Sequence, residues 1–275
     1  MVAKPYELCH YTYMKRPEYI AGAIYDVDDT LLDNQPDGND PLSNLHQIAR
    51  LEAIRALAAQ DNITYAQLLE VTPQENFDCF TESPVHTVAG AFYTLLKNRG
   101  LLTGDVDPTN PIILDLIALK NKSYGIALAE YGKPIKGADD FVRDLASQYD
   151  IEDKNAIAST AILLDIQAFL DKYNLAYLFP DERIIDVSRV SRPKPDPEAF
   201  DTAFRRLNLP ESARSNVVAF EDDPRGMLSA RKAGLYVCGI TTRYSREFLE
   251  TIEAKPDMIA DTYAEFRDYF DLAEA

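Results

Sequence analysis

The 275-residue sequence has few cysteines, a shortage of positive charge and no long apolar run. Its three cysteines (Cys9, Cys79 and Cys238) are far apart and lack the spacing of metal ligands or redox pairs, which predicts free thiols in a reducing compartment. The formal net charge of −17 disfavours nucleic acid and anionic membranes as partners. No segment approaches membrane-spanning length or resembles a secretory leader. We therefore expect a cytoplasmic protein, with a monomer as the default.

Internal repeats and low-complexity tracts are also absent. Apolar residues make up 46% of the chain and charged residues 27%, a balance that excludes collagen-like, disordered and coiled-coil proteins. The length allows one core domain of ordinary size and a second, smaller domain. The composition thus predicts a globular protein.

The most informative stretch is Asp26-Val27-Asp28-Asp29-Thr30, which follows the apolar run 21–25. The run predicts a buried parallel strand, and ligand sites in open α/β sheets lie beyond the carboxyl ends of such strands. Asp26 and Asp28 would share a face of an extended chain, where two carboxylates repel each other unless a cation lies between them. Mg²⁺, with its preference for oxygen ligands, suits this pair. An acidic surface turn is the alternative from these residues alone.

Three later segments also place polar residues after apolar runs or in constrained loops. Ser159 and Thr160 end a small apolar run before a helical pattern, and hydroxyls at a helix start suit a phosphate. Lys194 lies between prolines, which bias its backbone towards an extended conformation and fix an ammonium that can balance phosphate charge. Glu221 and Asp222 end a third apolar run. Each segment adds one candidate group for a phosphate or metal site.

Taken singly, each of these segments also has a purely structural interpretation. Ser159 fits a helix N-cap, and Lys194 fits a solvated loop lysine. The acids at 221–222 fit the start of a helix, near the positive end of its dipole. Asp223 is typical of an N-cap, and Pro224 is typical of a first helical residue. The order of the segments along the chain decides between the two interpretations.

Together, the four segments resemble the four motifs of the haloacid dehalogenase superfamily. The motifs are Asp-x-Asp-x-Thr from Asp26, Ser-Thr at Ser159, Lys-Pro-x-Pro from Lys194, and Glu-Asp-x-x-x-Gly from Glu221 to Gly226. The resemblance spans about residues 20 to 245 and is greatest to the phosphatase and β-phosphoglucomutase branch. It implies an α/β fold with a doubly wound parallel sheet, formed by residues 1–35 and 136–275, and an inserted α-helical cap over 36–135. Strands that alternate with helices after residue 155 favour the same parallel sheet.

The resemblance also implies a role for each catalytic position. Asp26 would be the nucleophile that takes up the phosphoryl group, and Asp28 the general acid and base. Ser159, with Thr160 beside it, would bind the transferring phosphoryl group, and Lys194 would bridge that group to the nucleophile. Dehalogenases of the superfamily lack an aspartate at the position of Asp28, because halide leaves without a proton. The aspartate therefore favours phosphoryl transfer.

The cofactor implied by the resemblance is Mg²⁺. Its ligands would be Asp26, the backbone carbonyl of Asp28, and Asp222. Glu221 would be either a further ligand or a residue that contacts the ligands without binding the metal. The sequence departs from many relatives at Asp29, where they have glycine, and at Asp223, where they have serine. Asp223 can cap a helix as serine does, so we expect the activity to be retained.

The segment between the first two motifs contains helical patterns and almost no strand pattern. A four- or five-helix cap inserted here would close over the metal and contact the substrate beyond its phosphate. His46, near the cap entrance, and Lys120, in a Lys-Asn-x-x-Tyr segment similar to that of the mutases, are the candidate substrate-binding residues. Helices are predicted near 43–60, 64–70, 85–99 and 110–131, with hinges near 34–39 and 132–137.

The predicted function is a Mg²⁺-dependent phosphohydrolase acting on a small phosphate monoester, such as a sugar phosphate or a nucleotide monophosphate. A β-phosphoglucomutase-like phosphomutase would use the same core residues. Mutases hold an arginine soon after the second cap helix begins, and the corresponding segment 71–78 has none. A non-catalytic binding protein that keeps the fold is the third possibility, which the complete set of catalytic positions disfavours.

Overall fold

The computed structural model describes residues 16–35, 40–84 and 87–272. Six parallel strands form one sheet, in the order β5-β4-β1-β6-β7-β8, and a short antiparallel pair, β2 and β3, forms a second sheet. This arrangement confirms the predicted doubly wound α/β fold. The strands are β1 Gly22–Tyr25, β2 Leu32–Asp33, β3 Lys133–Pro134, β4 Asn155–Ala158, β5 Ile184–Ile185, β6 Val217–Glu221, β7 Tyr236–Ile240 and β8 Met258–Ala260.

Ten α-helices alternate with these strands or fill the segment between β2 and β3 in the described ranges. Seven of them begin after a Ser, Thr, Asp or Asn whose side chain caps the first turn. The predicted cap is one of these: the Asp223 side chain accepts a hydrogen bond from the Arg225 N–H, with Pro224 as the first helical residue. The helices are α1 Leu45–Gln60, α2 Pro73–Thr81, α3 Val88–Asn98, α4 Pro111–Tyr131, α5 Ala138–Gln148, α6 Leu163–Lys172, α7 Glu198–Arg206, α8 Pro224–Lys232, α9 Arg246–Thr251 and α10 Tyr263–Tyr269.

The chain divides into two compact units. The first contains the described residues up to Asp26, Lys136–Thr160 and those from Leu178 onward. Its strands β1, β4 and β6 are fully buried and, apart from Asn155 and Glu221, consist of apolar and small residues, as expected for central strands covered on both faces. On one face Phe220 stacks on Tyr25 at 4.9 Å between ring centroids and meets the ring of Phe141 edge-on at 5.3 Å. This packing fixes the strand ends that carry the polar residues.

The second unit consists of Val27–Ile135 and Ala161–Tyr177. Helices α1 and α4 pack along each other, and the apolar side chains of α1 to α4 form a separate core that includes Ile54, Phe92 and Leu116. The unit is helical apart from β2 and β3, in line with the helical pattern of the sequence. The assignment of residues 36–135 to a cap domain stays a prediction.

The structure differs from the sequence-based prediction in three helical regions. Helix α2 was not predicted, and the segment predicted as a helix near 64–70 contains a 3₁₀-helix at Ala66–Glu70. The helix predicted from residue 85 begins at Val88. Cys9 and the part of the first predicted hinge from 36 to 39 lie outside the described residues. Cys79 and Cys238 are free, buried thiols.

None of the described helices combines the length and the apolar character required to span a membrane.

Candidate active site

Two acidic residues lie side by side where β1 and β6 end. Tyr25 pairs with Phe220 in the parallel ladder, and the backbone N–H of Asp26 donates a 3.0 Å hydrogen bond to the Phe220 carbonyl. Asp26 therefore follows the last residue of β1 next to Glu221, the last residue of β6. The carboxyl ends of parallel strands are the usual location of ligand sites in sheets of this kind.

Lys194 inserts its ammonium group between these two carboxylates. Its Nζ donates a 2.7 Å hydrogen bond to Asp26 Oδ1 and a second, short one to Glu221 Oε1. The lysine side chain is only 7% exposed, and its ammonium lies 5.0 Å from the centroid of the Phe200 ring. Burial alone would lower the pKa of Lys194, but the two carboxylates raise it well above its ordinary value. The ammonium therefore stays charged at neutral pH.

A third carboxylate, that of Asp222, completes the group. One oxygen from each of Asp26, Glu221 and Asp222 lies within 4.8 Å of the others, and all three residues are buried. This three-carboxylate group offers only oxygen donors, which are the ligands that Mg²⁺ prefers. Burial raises the pKa of Glu221, and Lys194 opposes that shift. The residues therefore fit a hard divalent cation, and they include three of the four predicted metal ligands.

The glycine of the fourth motif leaves room for the Glu221 carboxylate. A Cβ atom at Gly226 would lie 1.9 Å from Glu221 Oε1 and 2.0 Å from its Cδ. Glu221 also accepts a 3.2 Å hydrogen bond from the Asp223 N–H, so the start of α8 holds the carboxylate on one side and Lys194 holds it on the other. The spacing from Glu221 to Gly226 therefore has a steric cause.

Ser159 follows the last residue of β4, and Thr160 follows it. The Ser159 N–H donates a 2.9 Å hydrogen bond to the Ile185 carbonyl of β5, which continues the ladder one residue beyond the strand. The Ser159 side chain is buried, whereas Thr160 is exposed. Their predicted roles in phosphoryl binding stay predictions.

Asp28 lies in a polar environment within the second unit. Its Oδ1 accepts hydrogen bonds from the Asn34 amide at 3.0 Å and the Tyr124 hydroxyl at 3.2 Å, and its Oδ2 lies 3.7 Å from His46 Nε2. Burial alone would raise the pKa of Asp28, but the nearby imidazole of His46, the hydrogen bond from Asn34 and the charge of Lys120 hold it well below its usual range. Asp28 is therefore a carboxylate at neutral pH.

His46 and Lys120, the two predicted substrate-binding residues, both pack against Tyr124. The His46 ring stacks on the Tyr124 ring at 4.3 Å, and the Lys120 ammonium lies 4.4 Å from the centroid of that ring. Burial lowers the pKa of Lys120, while Asp28 and Asp165 raise it. Burial raises the pKa of Asp165 to about 6. The structure thus gathers His46, Lys120 and Asp28 around one tyrosine.

Asp29 occupies a backbone conformation that favours glycine. Its φ is 58°, in the left-handed region, and its Oδ1 accepts a 3.2 Å hydrogen bond from the Asn34 N–H. Aspartate is among the few residues that tolerate this region, because its short side chain bonds locally. The departure from the family pattern at Asp29 therefore leaves the turn intact.

Sequence reasoning missed three residues of these surroundings: Asn34, Tyr124 and Asp165. Tyr124 lies four residues after Lys120 on α4, and this spacing places two side chains on the same face of a helix. That signal was available in the sequence. Asn34 and Asp165 gave no comparable pattern, because their positions depend on how the chain folds back after β2 and at the start of α6.

Comparison with known proteins identifies relatives in sequence and in fold. The family model of the haloacid dehalogenase-like hydrolases matches residues 20–234. Validoxylamine A 7'-phosphate phosphatase of Streptomyces hygroscopicus subsp. limoneus is 38% identical over 84 residues, covering 30% of this chain and 36% of the relative. Glycerol-1-phosphate phosphohydrolase 1 of Saccharomyces cerevisiae is 31% identical over 90 residues, covering 31% of this chain and 35% of the relative. The chain thus spans about a third of the length of these curated relatives.

A solved structure shares the fold over nearly the whole chain. The crystal structure of a HAD hydrolase, family IA, variant 3, from Entamoeba histolytica has a TM-score of 0.66 and 20% sequence identity. The superposition covers 89% of this chain and 94% of the other. At this level of identity the likeness concerns the fold alone.

Proposed function

The chain belongs to the haloacid dehalogenase-like hydrolase family, and from this premise we propose that it is a Mg²⁺-dependent phosphatase of small phosphate monoesters. The observation that carries the proposal is the position of Lys194, which bonds Asp26 and Glu221 beside Asp222 at the ends of β1 and β6. Phosphoryl transfer requires an in-line nucleophile and positive charge around the transferring group. This group of residues supplies both.

Asp26 is the proposed nucleophile. A carboxylate oxygen of Asp26 attacks phosphorus, the bond from phosphorus to the ester oxygen breaks, and an aspartyl-phosphate forms. Water then attacks this intermediate, and Asp26 is released with inorganic phosphate. The hydrogen bond from Lys194 holds the Asp26 carboxylate in one orientation, and the ammonium balances the negative charge of the phosphoryl group.

Asp28 is the proposed general acid and base. Its lowered pKa favours the carboxylate, the form that accepts a proton from the attacking water in the second step. In the first step Asp28 must donate a proton to the leaving alcohol. The charge of an approaching phosphate raises the pKa of a nearby carboxyl group and thereby favours that proton.

Asp26, Glu221 and Asp222 would hold the Mg²⁺ ion, together with the backbone carbonyl of Asp28. When bound, the ion would neutralise negative charge on the phosphoryl oxygens. In the proposal Ser159 and Thr160 bind these oxygens through their hydroxyls, and His46 and Lys120 contact the remainder of the substrate. The core is assigned to residues 1–35 and 136–275, and the cap to 36–135.

The names of two relatives support the substrate class. Both are named for the release of phosphate from a small organic phosphate: a 7'-phosphate in one relative and glycerol 1-phosphate in the other. We extend this class, and not either compound, to the present chain. The acidic composition supports a cytoplasmic enzyme, and size-exclusion chromatography would test the proposed monomer.

The experiment is phosphate release from a panel of sugar phosphates and nucleotide monophosphates, with Mg²⁺ or with EDTA. Wild type is compared with Asp26→Asn and with the matched variant Asp33→Asn. Asp33 is another aspartate near the first motif, and its Oδ1 accepts a hydrogen bond from the Gln35 N–H. We expect Mg²⁺-dependent release by wild type and Asp33→Asn, and essentially none by Asp26→Asn.

Substantial hydrolysis by Asp26→Asn would remove Asp26 as the nucleophile. Release that persists in EDTA would contradict the proposed cofactor. If wild type releases no phosphate but converts a sugar phosphate into its isomer, the enzyme is a mutase and the phosphatase proposal is wrong. Absence of both activities with every substrate would favour a binding protein.

A further inference from the structure

The second unit contains two buried cations on neighbouring helices. Arg50 on α1 is 4% exposed and Lys120 on α4 is 7% exposed. A buried guanidinium or ammonium normally pairs with a carboxylate, because charge is costly to remove from water. Among the described residues, no carboxylate lies within 4 Å of either cation, as the ion pairs of this unit involve other side chains.

The contacts of Arg50 leave most of its donors unused. Its guanidinium lies 4.6 Å from the centroid of the Phe80 ring and donates one short hydrogen bond to Gln47 Oε1, while Nε is buried and makes no hydrogen bond within the described structure. Gln47 is held in turn by the Pro73 carbonyl, to which its amide donates a 2.8 Å hydrogen bond. Among the residues that the structure describes, the guanidinium is therefore positioned by the neutral side chains of Gln47 and Phe80.

Arg50 and Lys120 lie at matching positions of the two packed helices. Arg50 follows His46 by four residues, and Tyr124 follows Lys120 by four residues, so each pair shares one helix face. His46 stacks on Tyr124 and so links the faces of the two helices that carry Arg50 and Lys120, and the Lys120 ammonium lies 4.4 Å from the centroid of the Tyr124 ring. In agreement with this proximity, Arg50 lowers the pKa of Lys120. We call Arg50 and Lys120 the cationic pair.

The charges that surround the cationic pair are unequal. Asp28 and Asp165 raise the pKa of Lys120, so this cation has partial compensation at longer range. Burial lowers the pKa of Arg50 to about 10. Among the described residues, only the buried thiol of Cys79 raises the pKa of Arg50, and burial raises the pKa of that thiol to about 11. A thiol in that state is neutral at pH 7. Within the described part of the chain, Arg50 therefore has no carboxylate as an ion-pair partner.

We propose that the cationic pair binds a second anionic group of the substrate, so that the enzyme acts on phosphate monoesters that carry a further phosphate or carboxylate. The inference rests on the proposed phosphatase function and narrows its substrate class. The second anion lies beside Arg50 and Lys120, next to the stacked pair of His46 and Tyr124. Two donors of the guanidinium fork fit the two oxygens of a carboxylate or phosphate.

The test compares substrates that differ only by the second anion. Glycerol 3-phosphate is paired with 3-phosphoglycerate, and glucose 6-phosphate with glucose 1,6-bisphosphate; the first pair adds a carboxylate and the second a phosphate. We expect wild type to favour the member with two anionic groups in at least one pair by about 10- to 100-fold in kcat/KM, the range of a charge-assisted hydrogen bond. The pair with the larger ratio identifies the chemistry of the second group.

Arg50→Met removes the charge and keeps an unbranched, apolar stem. We expect the preference for the substrate with two anionic groups to disappear, mainly through KM. The control is Arg55→Met on the same helix, where a half-exposed arginine pairs with Glu52 at 2.6 Å; it should keep the wild-type ratio. A purely structural role for Arg50 would lower the rates with both substrates equally and leave their ratio unchanged, and that result would overturn the proposal.

Binding without turnover separates this inference from the proposed function. Phosphonoacetate carries two anionic groups and methylphosphonate one, and neither is a phosphate ester. We expect phosphonoacetate to raise the melting temperature of wild type more than methylphosphonate does. In Arg50→Met the two compounds should raise the melting temperature equally. Lys120→Met replaces that variant if Arg50→Met does not fold. Equal stabilisation by both compounds in wild type would overturn the inference even if the enzyme proves to be a phosphatase. Arg50-dependent binding without any hydrolysis would instead refute the proposed function alone.

Discussion

Replacement of Lys194 by methionine tests whether the lysine holds the strand-end carboxylates together. The variant removes an ammonium that bonds Asp26 Oδ1 at 2.7 Å and also bonds Glu221, and it leaves the three-carboxylate group without that cation. Removal of one partner of a buried ion pair costs about 3–5 kcal/mol of folding free energy. Loss of a charged donor to a transferring group lowers kcat by about 100- to 1000-fold. We therefore expect a folded but destabilised and nearly inactive protein.

The stability change is measured by urea denaturation without metal. Lys133→Met is the control, because that lysine is 50% exposed and lies 3.9 Å from Asp33; a surface pair of this kind contributes less than about 1 kcal/mol. The double variant Lys194→Met with Glu221→Gln should recover part of the loss, since it removes one of the carboxylates left without a partner. A Lys194→Met protein as stable as wild type, with turnover close to wild type, would refute the reasoning.

Two further predictions concern Gly226 and Asp165. Gly226→Ala places a methyl group 1.9 Å from Glu221 Oε1, and we expect it to lower the free energy of unfolding by about 1–3 kcal/mol and to remove much of the activity. Gly125→Ala, whose Cβ meets nothing closer than 3.8 Å, should be neutral or stabilising. Denaturation midpoints and phosphate release of the two variants check this. The Asp165 carboxyl binds its proton more tightly in the folded protein, with a pKa of about 6. The free energy of unfolding of wild type, relative to that of Asp165→Asn, should therefore fall as pH rises from about 4 to about 6. Urea midpoints that run parallel for the two proteins over this range would contradict the raised pKa of Asp165.

The sequence was most informative about the strand ends of the first unit. Parallel strands bring their carboxyl ends to one edge of the sheet, so Asp26 and Glu221, almost two hundred residues apart in the chain, could be predicted to meet there. The proline after Lys194 indicated a constrained loop, and the family resemblance placed its ammonium near Asp26, but its contact with Glu221 was not predicted. That contact depends on the path of the loop, which no local pattern encodes.

The helical segment was predicted less completely. Helix α2 escaped prediction although Thr72 and Pro73 form a standard helix start, in which the Thr72 hydroxyl accepts a hydrogen bond from the Glu75 N–H. The cationic pair was also missed, because Arg50 has the sequence context of an ordinary exposed helical arginine. Only the packing of α1 on α4 shows that it is buried beside Lys120. Helix periodicity predicts which face is apolar, but not which polar residue a neighbouring helix will cover.

The position of Lys194 also has a consequence for the choice of metal ion. Three carboxylates and one ammonium leave the group with a formal charge of −2. One divalent cation would make this sum zero, whereas Na⁺ or K⁺ would leave an excess negative charge where the anionic ester approaches in the proposed mechanism. In the proposed metal site, the lysine would therefore serve as a counter-ion that sets the charge of the cation needed for neutrality. Without it, the same three carboxylates would require a trivalent ion for neutrality.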